Sequence, residues 1–145
     1  MKESIKNKFN LEGKVAIITG ASKGIGKSIA KGFIEFGAKV VISSRDQNSL
    51  EEVAKELGQE NILPIQCHVG KDKDIINLVN SVAKTFGRID VLVNNAATNP
   101  FYGELTNTDN ELFDKVINVN LKAPYLLANK CLPFMKKNSC GSIIN

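Results

Sequence analysis

Two hydrophobic periods alternate along the chain. Short apolar runs bounded by glycine, proline or polar residues read as buried strands, and stretches with apolar residues three and four positions apart read as amphipathic helices. "KVAIIT" (14–19) is the first run. Ile25, Ile29, Ala30, Phe33 and Ile34 then form a helical stripe ending at Gly37. "AKVVIS" (38–43) predicts a second strand, and Ser49 with Glu52 has the capping-box spacing for a helix in "SLEEVAKELG". "NILPIQCHV" predicts a third strand, which Pro64 places at a sheet edge, since proline cannot donate to a central ladder.

A helix through Ile75, Ile76, Val79, Val82, Ala83 and Phe86 follows, stopped by Gly87. "IDVLVNNA" predicts a fourth strand, and the loop "ATNPFYGELTN" leads to a second capping pair, Thr108 and Glu111. A long helical segment runs to about Lys137, and "GSIIN" begins a fifth strand where the sequence stops. Strict alternation predicts the α/β class: a doubly wound parallel sheet of Rossmann type, with helices on both faces in three layers. In the strand order 3-2-1-4-5-6 the third strand is an edge, as Pro64 requires. Residues 1–145 contain no repeat, linker or low-complexity tract, and read as one nucleotide-binding domain truncated in its fifth strand.

Composition narrows the function classes. At 43% hydrophobic and 23% charged the chain is an ordinary globular protein, and no apolar run approaches a bilayer span. "MKESIKNKFN" lacks the apolar region of a secretory signal, so a cytoplasmic location is expected. The net charge is +4, but apart from a mild cluster at Lys2, Lys6 and Lys8 the lysines are scattered, without interleaved aromatics. They read as a solvated surface, which argues against nucleic acid and membrane partners. Cys67, Cys131 and Cys140 lack metal or redox spacing and read as buried, reduced thiols. His68 is the only histidine, which disfavours a Ser–His–Asp triad and a histidine-rich metal site.

The chemistry-bearing stretch is "VAIITGASKGIGKS", Val15 to Ser28. A strand entering a glycine turn and then a helix presents backbone N–H groups and the positive dipole end to an anion. Gly20 suits the tight turn, Gly24 the close approach of backbone to ligand, and Gly26 the packing of helix on sheet. A P-loop phosphatase or kinase is the least favoured alternative. "GKS" is present at 26–28, but Ala21 stands where the first P-loop glycine belongs, and "VLV" runs into Asn94 and Asn95 rather than a magnesium-binding acid.

What remains is T-G-x-x-x-G-x-G on Thr19, Gly20, Gly24 and Gly26, which resembles the short-chain dehydrogenase/reductase family. The resemblance runs along nearly the whole chain. "NNAA" (94–97) resembles the family's N-N-A-G with Ala97 for glycine, and "INVNLKAP" resembles the segment of its catalytic asparagine, here Asn120. "PFMKKNSCGSIIN" resembles the approach to the strand bearing the catalytic serine. "CHVG" and "NNAATNPFYG" further resemble the NADPH-dependent carbonyl reductase branch, with its retinal reductases and bacterial relatives. The resemblance implies a cofactor cradle of Gly20, Ser22, Lys23, Gly24, Ile25, Gly26, Ser44, Arg45, His68, Val69, Asn95, Ala96 and Ala97. Where the family often has an aspartate accepting from the adenine amino group, this sequence has His68, either an imidazole acceptor or a plain surface histidine. Val69 is expected to pack against adenine.

The end of the second strand reads "VVISSRDQ". An NAD site usually offers a carboxylate here, whereas Arg45 offers bidentate, charge-assisted bonds to a 2′-phosphate. With Lys23 as a second cation the expected cofactor is NADP(H), NAD(H) remaining possible; Asp46 is the dissenting residue. Further on, Pro124 has no N–H for the carbonyl of Asn120, so the helix is expected to bend there. The alternative is that Pro124 starts a new helix capped by Asn120. By resemblance, the Asn120 carbonyl holds a water of a proton relay.

The family mechanism moves a hydride between nicotinamide and a carbonyl or alcohol carbon, with a tyrosine as proton donor, a lysine lowering its pKa and a serine placing the substrate oxygen. That serine and Tyr-x-x-x-Lys are not among these residues: Tyr102 and Tyr125 are followed four positions on by Thr106 and Asn129. The sequence is thus expected to be the cofactor-binding half of an oxidoreductase, poorly soluble and catalytically silent alone, and part of a dimer or tetramer when full length. The alternative is a non-catalytic nucleotide-binding or interaction module ending at Asn145. Pro100, Phe101 and Tyr102 either wall an apolar substrate pocket or form a packed surface loop.

Overall fold

The computed structural model describes residues 9–145; Lys2, Lys6 and Lys8 lie outside the described residues. Strands β1 (Val15–Thr19), β2 (Lys39–Ser44), β3 (Ile62–Gln66), β4 (Val91–Val93) and β5 (Ser142–Ile144) form one sheet in the order β3-β2-β1-β4-β5. Every pairing is parallel. Helices α1 (Gly24–Glu35), α2 (Gln47–Leu57), α3 (Asp72–Phe86), α4 (Asn110–Ile117) and α5 (Ala123–Lys137) make the crossovers, with a π-helical turn (Asn118–Lys122) joining α4 to α5. β3 is an edge, and Pro64 pairs in register with Ile42 on its only neighbour.

Neighbouring strand residues point to opposite faces, so consecutive apolar residues feed two cores. Ile17, Val41 and Leu92 pack with Ile75, Leu78 and Val82 of α3 and Leu127 and Cys131 of α5. Ile18, Val40, Ile42 and Val93 pack with Ala30 of α1 and Leu50, Val53 and Ala54 of α2. These are the three layers expected from the alternation. At the amino ends of the strands, buried Asp90 accepts from the Val15 N–H at 2.9 Å and from Arg88 at 2.8 and 2.7 Å, tying β1 to the start of β4. No helix among the described residues is long and apolar enough to cross a membrane.

Three local expectations are corrected. α2 begins before Ser49: its cap is Asp46, whose carboxylate accepts from the Asn48 and Ser49 N–H groups and the Ser49 hydroxyl. α4 is capped by Asp109, which accepts from Leu112 N–H at 2.7 Å, not by Thr108. In both places the carboxylate immediately before the first helical residue takes the cap. β4 is shorter than "IDVLVNNA", because the Asn95 and Ala96 N–H groups leave the ladder for a side chain of β1. At Pro124 the helix neither breaks nor restarts: Lys122 and Ala123 keep helical angles, and Ala123 N–H reaches back five residues to the Asn118 carbonyl. The extra residue of the π turn accommodates the missing proline N–H.

Candidate functional site

In a doubly wound sheet the ligand crevice opens at the carboxyl ends of the strands, where successive connections leave for opposite faces. Here that point lies between β1 and β4. Thr19, the last residue of β1, is 1% exposed. Its Oγ1 accepts from the Asn95 and Ala96 N–H groups, each at 3.1 Å, and donates to the Val93 carbonyl at 3.3 Å. Asn95 Nδ2 returns bonds to the Thr19 carbonyl at 2.9 Å and the Gly20 carbonyl at 3.1 Å. The two lips of the crevice are therefore cross-bonded from both sides.

The glycines have distinct duties. A Cβ on Gly26 would lie 2.5 Å from the Gly20 carbonyl oxygen and 2.6 Å from Asn95 Nδ2, so Gly26 serves the turn's own packing more than the sheet. Gly24 has φ +57°, and a Cβ there would meet nothing within 4 Å, leaving the approach to its backbone open. Lys23 caps α1 in an extended conformation with no side-chain bond to the helix, and no acidic residue stands in the first turn. The first N–H groups of α1 thus face outward without a protein carboxylate to satisfy them. Ile25 is 74% exposed beside them, Lys23 is exposed, and Ser22 is half-buried in the turn. An open cradle of this kind fits a pyrophosphate.

At the end of β2, the Ser44 hydroxyl donates to the Asp46 carbonyl at 3.2 Å. The Asp46 carboxyl is held below its ordinary range, first by the Ser49 hydroxyl and then by the Ser49 backbone N–H. Its oxygens are spent on the cap of α2, so the dissenting acid of the sequence is turned away from the strand end. Arg45 is exposed and forms no ion pair among the described residues.

The turn after β3 differs from expectation at His68. Its Nδ1 accepts from Gly70 N–H at 3.1 Å, so the neutral ring carries its proton on Nε2. The nitrogen left free is a donor, and the expected acceptor for an adenine amino group is not there. The His68 N–H is itself held by Asp74 at 3.0 Å. Val69 is half-buried against the α3–α5 core.

On the other lip, the Asn120 carboxamide pairs with the backbone of Thr98, accepting from its N–H at 2.8 Å and donating to its carbonyl at 2.9 Å. Asn94 joins β4 to the end of β5 through Ile144 O at 2.8 Å and Asn145 Oδ1 at 2.8 Å; its own Oδ1 is buried without a partner among the described residues. These residues border an open cleft of about 480 Å³ together with Ala96, Ala97, Leu121, Pro124 and Tyr125. Pro100 and Tyr102 are exposed, Tyr102 by 89%, and neither they nor Phe101 lines this cleft. Its apolar wall comes instead from Leu121, Tyr125 and Ile143, whose helical and strand spacing resembles ordinary core. A comparable opening beside Glu12, Phe36 and Lys39 lies at the amino ends of the strands, away from the crevice.

The comparisons with known proteins agree with this geometry. The family described as short chain dehydrogenase matches residues 14–145. The chain belongs to the short-chain dehydrogenase family. The human protein "Dehydrogenase/reductase SDR family member 4" is 40% identical over 136 residues, covering 92% of this chain and 49% of that protein. "Tropinone reductase-like 3" of Erythroxylum coca is 40% identical over 146 residues, covering 99% of this chain and 56% of the relative. The chain spans about half the length of the curated relatives it matches. Among solved structures, a metagenomic short-chain oxidoreductase in complex with NADP superposes with a TM-score of 0.88 at 39% identity, over 93% of this chain and 62% of that one. The 3-ketoacyl-(acyl-carrier-protein) reductase of Brucella melitensis, complexed with NADH, gives 0.84 at 40% identity, over 89% and 53%. Family members of this fold therefore hold a nicotinamide dinucleotide, in one case NADP and in the other NADH.

Proposed function

We propose that this chain is the cofactor-binding half of an NADP(H)-dependent oxidoreductase acting on a small carbonyl or alcohol substrate. The observation that carries the cofactor preference is the division of labour at the end of β2. Asp46 is committed to a helix cap, while Arg45 stands exposed without an acidic partner among the described residues. A guanidinium in that state suits a 2′-phosphate, and a carboxylate that would repel the phosphate is occupied elsewhere.

In this reading the backbone N–H groups of Gly20 to Gly26, with Ser22 and Ile25 in the turn, hold the pyrophosphate. Lys23, Ser44 and Arg45 take the adenosine-side phosphate. Val69 walls the adenine, and His68 Nε2–H donates to a ring nitrogen in place of the acceptor contact. Asn95, Ala96 and Ala97 carry the cofactor across the switch point. A bound nicotinamide supplies or accepts the hydride. Asn120 fixes the loop after β4 through Thr98, and Pro124 withholds an N–H from the Asn120 carbonyl, leaving it for a relay water. The proton donor itself, a tyrosine with lysine four residues on, is not in this sequence, so turnover belongs to a longer protein and these residues alone bind cofactor without reaction. Phe113 and Ile117, exposed on α4 outside the cleft, support burial against another chain in a homo-oligomer.

Titration calorimetry of the chain and of the full-length gene product with NADPH and NADH tests this. The expected result is binding of both with NADPH tighter. No binding of either overturns the cofactor assignment, and equal affinities overturn the preference.

A further inference from the structure

The π turn sends side chains to both lips of the crevice. Residues two apart on a helix stand about half a turn round from each other, so Asn118 and Asn120 leave on opposite sides. Asn120 grips Thr98, as described. Asn118 reaches the other way: its Nδ2 donates to the Gly70 carbonyl at 2.9 Å, across 48 residues of sequence. Gly70 in turn donates its N–H to His68 Nδ1. The packing there is tight, since a Cβ on Gly70 would lie 2.9 Å from His68 Cε1, 3.1 Å from His68 Nδ1 and 3.3 Å from Asn118 Nδ2. Lys122, at the end of the same turn, meets Asp72 at the start of α3 at 2.9 Å.

We propose that Asn118 is a positioning residue for the adenine end of the cofactor. It touches no part of the crevice itself. By holding the Gly70 carbonyl it anchors the Gly70–Lys71 peptide, whose Lys71 N–H donates to the His68 carbonyl at 2.8 Å. Through the Gly70 backbone it steadies the preceding peptide, whose N–H meets the His68 ring, and so both the tautomer of His68 and the place of Val69. The Lys122–Asp72 pair is exposed on both sides and adds little, so Asn118 carries the contact. Because Asn118 and Asn120 share one rigid turn, each sets its own lip, and their losses separate by cofactor half. The inference rests on the cofactor assignment made above.

The test uses the full-length gene product with Asn118→Ala and Asn118→Asp, the second nearly isosteric but facing the Gly70 carbonyl with an acceptor. Affinity is measured for NADPH, for its adenine half 2′-phospho-ADP-ribose, and for its nicotinamide half NMNH, beside kcat, KM and thermal midpoint. Losing one hydrogen bond of ordinary worth predicts weaker binding of NADPH and of the adenine half by about 3- to 10-fold, more for Asp than for Ala. KM for NADPH rises with it, while NMNH affinity and kcat move much less. If the parent binds the adenine half and Asn118→Asp binds it equally well, this inference alone falls. If all readouts drop in parallel with the thermal midpoint, the role is merely structural and the inference also falls. If the parent binds no adenine half, the cofactor assignment falls and takes this with it.

Discussion

Thr19 and Asn95, 76 residues apart in sequence, hold each other by side chain and backbone in both directions. Thr19 Oγ1 stops β4 by taking the N–H groups of the two residues that follow Asn94, and the Asn95 amide closes the glycine turn from above. The arrangement serves stability and site shape together. Thr19→Val keeps the volume and strands two N–H groups without an acceptor. It is expected to cost about 2–4 kcal/mol in urea unfolding, whereas Thr19→Ser stays within about 1 kcal/mol of the parent. Equal stabilities for Val and Ser variants would show that the hydroxyl is not what holds the lips.

On the proposed reading, cofactor choice turns on Arg45. If Arg45 meets a 2′-phosphate as proposed, Arg45→Asp removes a charge-assisted contact worth about 1.5–3 kcal/mol and places a like charge near that phosphate. The ratio of NADPH to NADH affinity is expected to fall by at least about 10-fold. Direct titration of both dinucleotides reads this, and an unchanged ratio removes Arg45 from the site.

Acid stability should report Asp90. Burial pushes its carboxyl upward, but the Arg88 hydrogen bond, the Val15 N–H and the charges of Arg88 and Lys14 together hold it below the usual range. A carboxyl depressed in the folded state stabilises while ionised. That contribution is complete above the unfolded value near about 3.9 and is lost as pH falls through the lower folded value. Asp90→Asn is therefore expected to be less stable than the parent by about 2–3 kcal/mol at neutral pH, with the gap steady to about pH 5 and closing below about 4. Urea midpoints across that range decide it; a gap independent of pH would deny the ion pair its role.

The three thiols should separate kinetically. Burial, with Asp74 adding to it, pushes Cys67 up to about 11, and burial alone pushes Cys131 up to about 12; Cys140 is exposed. Since the thiolate is the nucleophile, Cys140 should react with a disulfide reagent at pH 8 at least about 100-fold faster than the other two, which are freed only in denaturant. Mass mapping of the labelled sites identifies them, and rapid native labelling of Cys131 would contradict the packing of α5.

How far the sequence speaks depends on the range of the interaction. Periodicity revealed the alternating elements, and Pro64 alone located an edge strand. Pro124 announced an irregular turn because a missing N–H is a local fact. The exact caps were less legible: Asp46 and Ser49, or Asp109 and Thr108, lie close enough that either member can serve, and only the chain path picks the carboxylate.

The alternation of strands and helices, the apolar runs that feed two faces and the glycine turn with its family resemblance were set by the amino-acid sequence itself, since each rests on residues a few positions apart. Folding alone decided which nitrogen of His68 stays free, that Asp46 caps a helix and leaves Arg45 unopposed, and that Leu121 and Tyr125 rather than Tyr102 wall the cleft. Several of these turn on partners brought together from distant segments, such as Asn118 with Gly70 and Thr98 with Asn120. No spacing in the sequence encodes a hydrogen bond between groups that only the packed sheet makes neighbours.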